Sequence, residues 1–276
     1  MVGKLIKEME LRNYSAPSIR CYSEQLTRLE SHLQLSLDAI SVQQFKDYLH
    51  GRIMDEKISV PLVNQTISAF KILQVDVLGR EWETVKIKRP RKEKKLPIVL
   101  SLSEVEKLIA ITQNIKHRAI IALAYSAGLR LHETLFIKPS AIDSERMLVH
   151  VVQGKGKKDR NTILSPKALD LLRIYYKIQR PRTFLFEPQG KKGITLSGRT
   201  LNTIVKNLAA KAGINKKISF HTLRHCFATH LIEQGVNIRL IQEFMGHNSI
   251  KTTSGYIHLA NLQASGVRSP LDSMNI

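Results

Sequence analysis

A mainly α-helical fold in two units, with one small antiparallel β-sheet, is what this sequence predicts. Apolar residues recur at helical spacing along most of the 276 residues. Only residues 147–152 and 162–164 read as strands, and they flank the turn Gly154-Lys155-Gly156-Lys157-Lys158-Asp159. A basic, Pro-bounded run at 88–97 resists packing and separates the two units.

In chain order, residues 1–13 form a short helix with Leu5, Ile6, Met9 and Leu11 apolar. Ser15-Ala16-Pro17 breaks it and opens Ser18–Leu33, where Ile19, Tyr22, Leu26, Leu29 and Leu33 share a face. Ser41 caps Val42–Arg52, and Pro61 starts Leu62–Leu78, which ends at Gly79. These four helices make a nearly neutral first unit. In the second, Ser103 and Glu106 fit a capping box ahead of Val105, Leu108 and Ile109. Ile115–Ala127 is a buried helix stopped by Gly128. After the hairpin, Pro166–Gln179 is helical, and Arg199–Lys211 is an amphipathic helix closed by Gly213. The helix following His221 buries Leu223, Phe227, Ala228, Leu231 and Ile232. Helical patterning resumes and stops at Gly246-His247, and Tyr256 lies in the next helical segment.

The chain carries a net charge of +20, unevenly placed. Residues 1–88 hold 12 Lys/Arg against 11 Asp/Glu, whereas residues 96–276 hold 26 against 11. Such asymmetry points to a polyanion bound by the second unit. With aromatics at 6% and unclustered, duplex backbone contact fits better than base stacking. No run of about 18 apolar residues suggests a membrane span. Met1-Val2-Gly3-Lys4 lacks the apolar core of an export signal, so a cytoplasmic protein with two reduced cysteines, Cys21 and Cys226, is expected.

His221-Thr222-Leu223-Arg224-His225 sets an imidazole and a guanidinium near a helix start, where free N–H groups already favour an anion. A metal reading of His221, Cys226, His225 and His230 fails for want of paired carboxylates, and position 222 is Thr rather than the Glu of a zinc motif. His225 and His230 are read as packing or hydrogen-bonding residues, and no metal or cofactor is expected.

The order Gly128-Leu129-Arg130-Leu131-His132-Glu133, Gly154-Lys155-Gly156, His221-x-x-Arg224, Gly246-His247, Tyr256 resembles the tyrosine recombinases, or phage-integrase family, in particular compact Xer-like and mobile-element members. The likeness spans essentially the whole chain and is strongest over 99–260. It implies a C-shaped, two-domain clamp on duplex DNA: a SAM-like helical core-binding domain (1–87), a basic linker (88–100), a catalytic domain (101–260) and a subunit-docking tail (261–276). Carried over position by position, it implies that Arg130 and Arg224 clamp the scissile phosphate and that Lys155 is the acid for the leaving 5′-oxygen. His221 assists proton transfer or phosphate binding, His247 contacts a phosphate oxygen, and Tyr256 is the nucleophile. Glu133 orients Arg130 or His221. The cationic surroundings are expected to ease deprotonation of Tyr256 during attack. Arg89, Arg91, Lys92, Lys94 and Lys95 of the linker, with Lys157, Lys158 and Arg160 of the hairpin, are the expected DNA-backbone contacts.

Three positions depart from the family pattern: Cys226 after Arg224-His225, Ala141 in place of a commonly acidic residue, and Gly255 before the tyrosine. Gly255 implies an easily repositioned tyrosine segment. The function implied is site-specific recombination through a 3′-phosphotyrosyl intermediate, without metal or ATP, for integration, excision or dimer resolution. The partners are duplex recombination sites and further copies of the chain, tetrameric when synapsed on DNA and monomeric when free. A type IB-like topoisomerase and a non-catalytic DNA-binding protein are the alternatives.

Overall fold

The computed structural model describes residues 1–81, 88–90, 96–152 and 159–260, which divide into two compact units, Met1–Lys95 and Leu96–Ile276.

The first unit is helical: α1 (Val2–Leu11), α2 (Ala16–Leu33), α3 (Val42–Met54) and α4 (Val60–Lys71). Ser15 and Ser41 accept the first free backbone N–H groups of α2 and α3, as their place before each apolar stripe requires. The stripes of Leu5, Met9, Leu26, Leu29 and Phe45 meet in one core, where Phe45 and Phe70 stack at 3.9 Å. The expected single helix 62–78 is instead α4 continued by a π-helical stretch, Ile72–Val77. That wider turn buries Leu73 and Gln74 and lets Arg80 reach the Gln74 side chain at 2.7 Å.

The second unit contains α5 (Leu102–Ala110), α6 (Ile115–Ser126), α7 (Leu131–Phe136), β1 (Ile142–Asp143), β2 (Leu148–Val151) and β3 (Arg160–Ile163). Then follow α8 (Pro166–Gln179), α9 (Gly198–Lys211), α10 (Phe220–Glu233), α11 (Ile238–Met245) and α12 (Ile250–Ser254). The capping box on α5 is formed by Ser101 and Glu104, two residues before the predicted pair. The sheet is antiparallel in the order β1-β2-β3, with Val149 opposite Thr162. Strand β1 was not anticipated, because two residues show no periodicity.

Helix α6 is buried from Ala119 to Ala124 and packs against α8 and α10. Gly128, at φ +60°, turns the chain out of α6. A Cβ there would lie 2.4 Å from the Phe227 ring of α10, so the close approach requires glycine. Helix α10 is buried over most of its surface, including polar Thr222, Arg224, Thr229 and His230. Cys226 is buried and its sulfur accepts the Leu100 N–H at 3.2 Å, consistent with a packing role. Among the described residues, no helix is long and apolar enough to cross a membrane.

Candidate active site

Three helix ends in the second unit converge on one cluster. The turn after α6 leads to Arg130, which caps α7; α10 carries His221, Arg224 and His225; α11 ends at Gly246-His247. His221 lies inside the first turn of α10 rather than before it, because Ser219 is the cap.

Glu133 holds the cluster together. Its carboxylate accepts the Arg130 backbone N–H and guanidinium, each at 2.7 Å, and two N–H groups of Arg160, also at 2.7 Å. Burial by itself would raise its pKa, but Arg160 and then Arg130 outweigh that and hold it down to about 2. Arg160 also donates to the Phe244 carbonyl at 2.8 Å, and its side chain is 8% exposed. It therefore turns inward from β3, and the expectation that Arg160 meets DNA phosphate is corrected. The sequence could not reveal this, since an arginine beside a basic hairpin tip reads like its neighbours.

Arg130 also donates to the Gly246 carbonyl at 2.9 Å. Gly246 adopts φ +58°, and a Cβ there would sit 2.7 Å from Arg160 Cδ. Glycine thus ends α11 and leaves room for Arg160.

Arg224 is 1% exposed, yet its guanidinium bonds only backbone carbonyls, Gly128 and Met245, among the described residues. Both carbonyls lie at helix C-terminal ends, whose dipoles favour a cation. Burial, then the neighbouring Arg130, lower its pKa to about 9, so it stays charged at neutral pH. Among the described residues, the three guanidiniums of Arg130, Arg160 and Arg224 face one carboxylate, Glu133. The excess positive charge is preorganised for an anion.

His221 presents its ring to solvent, though crowding by its neighbours and the charges of Arg224 and Arg130 lower its pKa. Arg130, Glu133 and His221 line a cleft of about 970 Å³, together with Phe136, His150 and Val152. His247 Nδ1 pairs with Thr253 Oγ1 at 2.9 Å, and burial followed by Arg224 and Arg130 takes its pKa to about 3. Its ring lies parallel to that of Tyr256, with centroids 6.2 Å apart.

Tyr256 follows α12 instead of lying within it, and is 6% exposed. Its hydroxyl pairs with His225 Nδ1 at 2.9 Å, a contact that spacing alone could not single out. Burial raises the Tyr256 pKa, and the opposing pull of Arg224 and Arg130 does not cancel it. The two arginines thus act in the expected direction, easing deprotonation, but in the resting site burial outweighs them. Gly255 is helical in conformation, and a Cβ would meet only Thr252 O, at 3.5 Å, so nothing local demands glycine there.

Lys155, Lys157 and Lys158, the linker cations Arg91, Lys92, Lys94 and Lys95, and the tail 261–276 lie outside the described residues. Arg89 is exposed in the first unit and donates to Asn64 O and Ser68 Oγ of α4. Ala141 is buried in the core of the second unit, next to the cleft. Among the described residues, no three His, Cys, Asp or Glu are grouped to hold a metal ion.

Glu133→Gln strips the countercharge from Arg130 and Arg160, and is expected to cost about 3–5 kcal/mol, read as a fall in Tm. The wild-type ion cluster has a defined pH signature. A carboxylate held below its unfolded pKa of about 4.3 contributes its full stability above that pH. The contribution is lost as pH falls from there towards 2. Acid titration of Tm should show this steeper loss in the wild type than in Glu133→Gln.

Comparison with known proteins gives matches over both units. Residues 99–263 match the phage integrase family, and residues 1–84 match the phage integrase N-terminal SAM-like domain. A Sinorhizobium fredii protein provisionally named integrase/recombinase is 33% identical over 98% of this chain and 87% of its own. A tyrosine recombinase of Thermosipho africanus is 31% identical over 91% of this chain and 92% of its own. The crystal structure of XerH site-specific recombinase bound to palindromic difH substrate superposes with a TM-score of 0.71. It is 22% identical, covers 99% of this chain and 85% of the other, and shares the fold.

Proposed function

The chain belongs to the phage integrase family and is a tyrosine site-specific recombinase, and on that premise we propose that its second unit breaks and rejoins duplex DNA through Tyr256. Arg130 and Arg224 bind the non-bridging oxygens of the scissile phosphate. His221 and His247 supply further hydrogen bonds to it. The Tyr256 oxygen attacks phosphorus in line, and Lys155 gives a proton to the departing 5′-oxygen. The resulting 3′-phosphotyrosine keeps the phosphodiester energy, so a second 5′-hydroxyl can reverse the step without ATP.

The observation that carries this reading is the buried Arg224 guanidinium, held among the described residues by two carbonyls and hydrogen-bonded to no carboxylate, in the same cluster as Arg130. Its charge is left for the substrate. Negative charge that builds on phosphate oxygens during attack meets donors already oriented, which is where such sites gain most. The basic excess of residues 96–276 supports contact with the flanking backbone. We assign the linker cations and Lys157 and Lys158 to that contact, the tail 261–276 to docking on a neighbouring subunit, and a tetramer to the synapsed state in the cytoplasm.

The test is covalent trapping on duplex taken from the DNA that flanks the gene, nicked beside the scissile phosphate so that the cut strand diffuses away. The expected result is a DNA–protein adduct that forms in excess EDTA and maps to the peptide containing Tyr256. An adduct on another residue, or cleavage abolished by EDTA, would overturn the reading.

A further inference from the structure

We infer that His225 is the base that takes the Tyr256 proton during strand cleavage and returns it during rejoining. The inference rests on Tyr256 as nucleophile and adds a catalytic residue to that reading. Its basis is geometric. Among the described residues, the hydrogen-bond partner of the Tyr256 hydroxyl is His225 Nδ1, at 2.9 Å, within reach for direct proton transfer.

The other candidates near the hydroxyl are placed for different work. His247 lies parallel to the tyrosine ring and spends Nδ1 on Thr253, so it turns a π face towards the phenol. His221 packs its ring edge-on against His225 at 4.7 Å, which steadies the His225 ring. The Glu133 carboxylate is saturated by Arg130 and Arg160. On the base's side the arrangement is firmly held, because α10 carries His225 in a largely buried helix between Arg224 and Cys226.

The charge states fit the role. Burial, then His221 and Arg224, take the His225 pKa to about 4, so the imidazole is neutral and a lone pair is available. Tyr256, with its pKa raised, keeps its proton and donates it to Nδ1. Nε2 then carries the ring hydrogen. Burial is the larger cause of that depression, and a phosphate bound between Arg130 and Arg224 would oppose the smaller contribution of Arg224. The base therefore gains strength when substrate arrives.

The step balances. The Tyr256 O–H bond breaks and its proton goes to Nδ1, leaving an imidazolium. The freed electron pair forms the oxygen–phosphorus bond. The bond from phosphorus to the 5′-oxygen breaks, and that oxygen takes a proton from the acid on its own side. In rejoining, a 5′-hydroxyl attacks phosphorus and gives its proton back to the group that protonated it in cleavage, the bond from phosphorus to the tyrosine oxygen breaks, and that oxygen recovers its proton from His225.

The decisive measurement separates the two proton transfers. In a duplex with sulfur for the bridging 5′-oxygen at the scissile phosphate, the thiolate leaves without a proton, because a thiol is far more acidic than an alcohol. His225→Asn places an amide oxygen near the former Nδ1, so it can keep the hydrogen bond but cannot hold the proton. Single-turnover cleavage by His225→Asn should fall by about 10²–10³-fold on both the oxygen and the sulfur duplex. His225→Gln should do the same, and whichever variant melts and binds DNA like the wild type serves for the reading. Cleavage of the sulfur duplex within about threefold of wild type would overturn the proposal, reducing His225 to a positioning contact or a donor to the leaving group. Tyr256→Phe is the parallel control. If it still forms an adduct, the nucleophile assignment fails. If it is inactive while His225→Asn is fast, only the base assignment fails.

Discussion

Tyr256→Phe is expected to form no covalent adduct on the nicked duplex, yet to bind that duplex with an affinity within about threefold of wild type, since phosphate contacts spread over the basic surface should supply most of the binding. The reasoning starts from the hydroxyl's environment. It is buried, points at His225, and lies where both Arg130 and Arg224 act on its charge. Removing one oxygen leaves the ring in its place beside His247 and in the packing with Phe227, Ile241 and Met245. The fold loses one hydrogen bond and leaves His225 Nδ1 unpaired, a cost of about 1 kcal/mol. The Tm should therefore drop by only a few degrees. A complete loss of adduct with so small a change in folding and binding isolates the chemical step. An adduct that persists in the Phe variant would place the nucleophile elsewhere.

The helices were legible where they are long. From Ala16 to Leu33 and from Pro166 to Gln179, apolar spacing marks the buried face, and the start is marked by the Ser15 cap in the first helix and by Pro166 at the first position of the second. What escaped was decided by contacts between distant segments. Ser101 and Ser103 each stand three residues before a glutamate, so both can be read as caps. The choice falls to Ser101 because Lys216 pairs with Glu104 at 2.6 Å and donates to the Val99 carbonyl, anchoring the chain just before the helix. In the candidate site, the order of Arg130, His221, Arg224, His247 and Tyr256 was readable as a pattern. The inward turn of Arg160 was not. It depends on register, since Val151 opposite Arg160 fixes which way the β3 side chain points, and on the missing Cβ at Gly246. The resting state of Tyr256 was also hidden. Two nearby arginines suggest a lowered pKa, and only the degree of burial shows that desolvation wins.

Arg224→Lys tests the other half of the mechanism, and its expected loss is a fall in single-turnover cleavage of about 10²–10³-fold at saturating DNA, or roughly 3–4 kcal/mol in the barrier. Arginine carries five N–H donors in a fixed plane. Two nitrogens of Arg224 are engaged by the carbonyls of Gly128 and Met245, which fix the plane and leave further N–H groups for a phosphate. Lysine keeps the charge, but its compact ammonium cannot bond both carbonyls and still present a planar pair of donors. The defect should thus appear even though net charge is unchanged. Arg224→Ala should be slower still, but it also leaves a cavity and two buried carbonyls without their donor, so its Tm will fall. That makes the lysine variant the cleaner measurement. DNA affinity should change much less than the cleavage rate for Arg224→Lys, because one phosphate among many contacts is affected. If affinity and cleavage fall by the same factor, Arg224 binds ground state and transition state alike. It would then be a backbone contact, and the charge left unpaired by carboxylate at this site would need another explanation.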